Sequence, residues 1–131
     1  MSEAVAIMRM GPDLLVTLQG DLDDRAVESI EREVTAEVVR GHARGALIDV
    51  SGLAVVDSFV ATVLGRLVNM IRLLGAETTI VGIRPPVAIT LVELGISLRH
   101  VNTALNAEQG MARLRRARHD DSARGGDDHN L

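Results

Sequence analysis

The sequence predicts an α/β domain: a mixed, mostly parallel sheet of four to five strands with about four helices. Short runs rich in Val, Ile and Leu alternate with longer stretches whose apolar residues return at helical spacing, the pattern of parallel strands joined by helical crossovers. The first two apolar runs are separated only by Gly11-Pro12-Asp13, too short for a helix, so the sheet opens with an antiparallel pair. At 131 residues, 47% hydrophobic and 24% charged, the chain has the composition of one globular domain that needs no staples.

Each element follows in turn. Ala4 to Met10 and Leu14 to Leu18 are the opening strands. A helix should start near Asp23 or Asp24, whose carboxylates suit free backbone N–H groups and the positive helix end. Val27, Ile30, Val34 and Val38 form its buried stripe, and Gly41 and Gly45 frame its exit. Ala46 to Val50 is the next strand, and Leu53 to Val56 leads into Asp57-Ser58. A second helix runs to Leu74 with Val60, Val63, Leu64, Leu67, Ile71 and Leu74 inward, and Gly75 stops it. Thr78 to Ile83 reads as the fourth strand. Pro86 to Leu94 is a short apolar helix, read as core packing with an assembly contact as the alternative. His100 to Leu105 is a weak last strand or loop, and Asn106 to Arg118 a closing helix capped by Asn106. Residues 1–118 form the domain, and 119–131, polar and glycine-rich, are expected to be a disordered tail.

Composition removes whole classes of function. The absence of cysteine excludes disulfides, thiolate metal sites and cysteine nucleophiles. Phe59 is the sole aromatic residue, which excludes stacking platforms and aromatic cages. All 14 basic residues are arginine, so there is no P-loop or Schiff-base lysine. A net charge of −4 without a basic face argues against nucleic acid. No apolar run spans a membrane and the N-terminus lacks the build of a signal peptide, so the expected location is the cytoplasm, with no membrane partner. His42, His100, His119 and His129 lack metal-ligand spacing, and no metal or cofactor is expected. Met8, Met10, Met70 and Met111 read as core filler, and the arginines of the last helix as a wet face.

The informative stretch is Asp49-Val50-Ser51-Gly52-Leu53-Ala54-Val55-Val56-Asp57-Ser58-Phe59. It puts a serine where a strand-end loop becomes a helix, a position whose free N–H groups welcome anions. Ser58 has two readings here, a helix N-cap and a phosphoacceptor, and the two are compatible.

The chain resembles the STAS-domain family and, within it, the RsbS-type scaffold proteins of the bacterial stressosome. The residues are Leu22-Asp23-Asp24, Ile48-Asp49-Val50, Val56-Asp57-Ser58-Phe59, the run from Val81 to Ile96 (VGIRPPVAITLVELGI), Thr103-Ala104-Leu105-Asn106 and Glu108-Gln109-Gly110. The resemblance covers the chain to about Arg116, and the run from Pro86 to Gly95 (PVAITLVELG) is its most specific part. It implies a non-catalytic scaffold that assembles with RsbR-like STAS paralogues, as a homodimer and in a large oligomer. Such a scaffold sequesters an RsbT-like serine/threonine switch kinase and releases it on phosphorylation of Ser58, in the general stress response or a related signalling output. An RsbX-like phosphatase resets the switch. Asp23, Asp57 and Phe59 match positions expected to face the partner.

Two other functions compete with this reading. A free anti-anti-sigma factor would bind an anti-sigma kinase directly. A hydrolase using Ser58 would need a general base and an oxyanion hole, and the sequence offers no Gly-x-Ser-x-Gly elbow.

Overall fold

Among the described residues, nine elements follow in the predicted order. They are β1 (Val5–Met10), β2 (Asp13–Gly20), α1 (Asp24–Gly41), β3 (Gly45–Leu53), α2 (Ser58–Leu73), β4 (Glu77–Val81), α3 (Pro85–Glu93), β5 (Asn102–Ala104) and α4 (Ala107–Asp128). The computed structural model describes residues 5–53, 55–93, 95 and 101–128, with 120–128 as backbone. Ala4, Leu94, Ile96, His100 and His129, all used in the sequence reading, lie outside the described residues. The five strands pair in chain order, β1 antiparallel to β2 and the rest parallel. The weak last segment is a true strand of three residues, β5, held by β4 alone.

Strand periodicity sorts the core into two layers. Leu14, Val16 and Leu18 of β2, Ala46, Ile48 and Val50 of β3 and Ile80 of β4 point to one face. There they meet the inward stripes of α1 and α2 and Val87 and Leu91 of α3. Leu47 and Val81 point to the other face and meet Leu114 of α4, with Leu15, Ala104, Ala107 and Met111 around them. Burial on both faces explains why β3 reads as a continuous apolar run rather than an alternating one. α4 comes close enough only because Gly110 has no side chain. A Cβ there would stand 2.6 Å from Leu47 Cδ2 and 2.7 Å from Val81 Cγ1.

The structure corrects four local expectations. Leu74, expected on the inward face of α2, is 42% exposed, because it is the C-cap past the last inward residue, Ile71. Met8 is 59% exposed rather than core filler. It sits on the α4 side of the sheet opposite Leu15, but α4 lies over β3, β4 and β5, and β1 is an edge strand beyond it. The exit of α1 is made by His42, which adopts the left-handed conformation (φ 48°) and donates its N–H back to the Val38 and Val39 carbonyls. Gly41 stays helical, and its carbonyl accepts a hydrogen bond from Arg9 of β1 at 2.6 Å. The closing helix does not end at Arg118. Its backbone continues to Asp128. A helix already nucleated on the sheet gains one hydrogen bond for each further residue fixed, which favours continuation.

Candidate functional site

β2 and β3 are parallel neighbours, so the helices that follow them, α1 and α2, both begin at the same edge of the sheet. Each starts with an aspartate cap. Asp23 Oδ1 accepts from the Ala26 N–H at 2.8 Å, and Asp57 Oδ1 accepts from the Val60 N–H at 3.0 Å. Both caps have extended backbone, as an N-cap requires. Two positive helix ends with carboxylates at their mouths therefore lie side by side.

The cap of α2 is Asp57, and this corrects the cap reading of Ser58. Ser58 is the first helical residue, and its hydroxyl makes no hydrogen bond among the described residues. It is exposed, as are Asp57 and Phe59 on either side. Its carbonyl is taken up by the Thr62 hydroxyl, which donates to it at 2.8 Å. The division of labour matters chemically. A capping serine would have its oxygen committed to a backbone N–H, whereas this one presents a free nucleophile to solvent at a site where added negative charge is offset by the helix dipole.

Phe59, 41% exposed, turns into a groove between α1 and α2. Asp24, Arg25, Thr62 and Arg66 line the same groove. Arg66 crosses its floor to Glu31 at 3.1 Å, an ion pair open enough to solvent on the arginine side to add little stability. The structure thus brings Asp57, Ser58 and Phe59 together at one helix mouth, with Asp23 capping the helix beside it. Asp49, the first residue of the stretch that leads to Ser58, is used locally: its Oδ1 accepts from the Ser51 N–H at 2.9 Å and the Ser51 hydroxyl at 2.7 Å. The groove residues Asp24, Arg25, Thr62 and Arg66 were not legible as site residues. Only Thr62, one turn beyond Ser58, carried a signal in its spacing.

Removing the Asp57 carboxylate tests this assignment. Asp57→Ala should cost about 1 kcal/mol through loss of the cap, while Ser58→Ala, which breaks no hydrogen bond, should leave thermal stability unchanged. Melting curves of the two variants decide it, and equal losses would contradict the division of roles.

Comparison with known proteins agrees with this geometry. The STAS domain family matches residues 4–109. The chain is 33% identical over 97 residues to the RsbT co-antagonist protein RsbRB of Bacillus subtilis, covering 74% of this chain and 35% of that one. It therefore spans about a third of the length of the RsbR-type relatives it matches. Among solved structures, a serine-to-glutamate variant of Moorella thermoacetica RsbS superposes with a TM-score of 0.78 at 34% identity, covering 88% of this chain and 97% of that one. A chain from a structure described as the molecular architecture of the stressosome, a signal integration and transduction hub, gives a TM-score of 0.72 at 33% identity, covering 86% and 97%. Fold, strand order and the matched span agree: this chain belongs to the STAS-domain family and is similar within it to RsbS and to the RsbR co-antagonists.

Proposed function

We propose that this protein is a non-catalytic stressosome scaffold that holds an RsbT-like serine/threonine kinase and releases it when Ser58 is phosphorylated. The observation that supports this reading is the uncommitted, exposed Ser58 hydroxyl at the first position of α2, set between the capping Asp57 and the half-exposed Phe59. Similarity to RsbS and to a stressosome structure over most of the chain supports the assembly with RsbR-like STAS paralogues. An RsbX-like phosphatase would restore the hydroxyl.

The physics of release is local. A phosphate adds about −1.5 to −2 charges at neutral pH. The helix end offsets part of that charge, so the domain stays folded. At a docked partner the same charge meets a surface that had accommodated a neutral hydroxyl, next to Asp57 and near the acidic start of α1. Repulsion and desolvation together need to remove only about 3 kcal/mol to weaken binding on the order of a hundredfold.

Incubation with the cognate RsbT-like kinase and ATP, read by intact-mass and fragment mass spectrometry, tests the reading. One phosphate on Ser58 with loss of co-elution is expected. Modification elsewhere, or release of the kinase from unmodified protein, overturns it. Size-exclusion chromatography with an RsbR-like paralogue separates the scaffold, which enters a megadalton particle, from a free anti-anti-sigma factor, which binds its kinase without assembling.

A further inference from the structure

Strand β3 is longer than its neighbour. Its ladder with β4 ends at Asp49↔Val81, while its ladder with β2 continues to Gly20↔Leu53. Residues 50–53 therefore stay beside β2 but have no β4 partner, and they lead toward Ser58. Leu53 is 1% exposed, so its carbonyl needs a protein partner. Arg84 supplies it: Nη2 donates to the Leu53 carbonyl at 2.8 Å, across 31 residues of sequence.

The turn carrying Arg84 is itself fixed at both ends. Gly82 has φ +78°, and a Cβ there would stand 2.8 Å from both Asp49 Oδ1 and Ser51 Cβ, so the turn can lie against β3 only as glycine. The Arg84 carbonyl accepts from the Ala88 N–H at 2.9 Å and so begins α3. One residue thus joins the start of α3 to the outgoing end of β3 by a charge-assisted hydrogen bond to a buried carbonyl, the kind whose loss is felt most.

We infer that Arg84 is a positioning residue for the phosphoacceptor: it splints the end of β3 and so fixes how α2 presents Ser58 to the kinase. The inference rests on the proposed role of Ser58. Without the splint, residues 55–57 sample further conformers, and the apparent affinity of the kinase falls with the fraction that presents Ser58 correctly. The expected signature is a change in KM rather than in kcat.

The test uses the full chain and the variants Arg84→Ala, Arg84→Gln and Arg84→Lys. In the unmodified protein, Arg84→Ala should raise amide exchange at residues 55–60 while β2 and β3 keep their protection. In steady-state phosphorylation by the RsbT-like kinase, its KM should rise about tenfold, the factor that follows from losing one charge-assisted bond, with kcat unchanged. Arg84→Lys keeps a charged donor and should recover most of the affinity; Arg84→Gln should fall between. If Arg84→Ala does not fold, the Gln and Lys variants give the same ordering. Unchanged exchange at 55–60, or an unchanged KM in Arg84→Ala or Arg84→Gln, overturns the inference. The two readings fail separately. Wild-type protein left unmodified at Ser58 defeats the proposed function, whereas Ser58 modified equally well with and without Arg84 defeats only the splint.

Discussion

Replacing Ser58 by aspartate should weaken binding of the RsbT-like kinase by about tenfold to a hundredfold, whereas Ser58→Ala should bind as wild type and no longer let go when ATP is added. The range lies below that expected for phosphate because a carboxylate carries one charge and fewer acceptor oxygens. The position makes the experiment clean. Ser58 is the first residue of α2 and its hydroxyl holds nothing among the described residues, so alanine removes no contact. Aspartate there lies at the positive end of the helix and should leave the melting temperature unchanged or slightly raised, by the equivalent of about 0.3–1 kcal/mol. A loss of binding in a protein at least as stable as wild type can only be assigned to charge at the docked surface. Calorimetric titration of the three proteins with the kinase, beside their melting curves, checks this. Equal affinity of Ser58→Asp and wild type would show that charge at this helix mouth does not govern release.

A large stability effect is expected of a single charged side chain at the opposite edge of the sheet. Asp13, at the start of β2, is 1% exposed, and Arg118 of α4 reaches it with both terminal guanidinium nitrogens, Nη1 to Oδ2 at 3.4 Å and Nη2 to Oδ1. The arginine side chain is itself largely covered, at 22% exposure. A buried ion pair contributes modestly while both partners are present, because each charge has lost its water. Removing one partner is different. Arg118→Ala leaves a carboxylate beneath Leu114 and against the Gly45 backbone, and should destabilise the domain by about 3 kcal/mol. The double variant Asp13→Ala/Arg118→Ala removes the stranded charge and should lose less than the sum of the two single variants. Urea unfolding gives the answer as a shift in midpoint at constant slope. A loss below about 0.5 kcal/mol for Arg118→Ala, the range of ordinary surface substitutions, would mean that the pair is inert. The pair also accounts for how α4 is seated: Gly110 lets one end approach Leu47 and Val81, and Arg118 ties the helix to β2.

Much of this architecture was legible because it follows from local periodicity. The apolar stripe from Val27 to Val38, the run from Ala46 to Val50 and the inward face from Val60 to Ile71 each bury the residues their spacing implied. Gly11-Pro12-Asp13 makes the antiparallel turn, and Asn106 caps α4 by accepting from the Gln109 N–H at 2.9 Å. At the candidate site the stretch Asp57-Ser58-Phe59 marked the correct helix mouth. The division of tasks within it was not legible, since aspartate and serine are nearly equal as caps and the choice depends on which backbone leaves the extended region first.

What the sequence determined by itself was the identity and order of the elements and the place of one exposed hydroxyl, because hydrophobic period, capping residues and glycine or proline breaks act over a few neighbouring residues. Tertiary structure alone decided what distant residues do to one another. It left Met8 uncovered on an edge strand, seated Arg118 on Asp13 across 105 residues, and brought Arg84 to the Leu53 carbonyl. Those contacts depend on where strands end and which helix covers which strand, and these are settled by packing the whole sheet at once rather than by any local pattern.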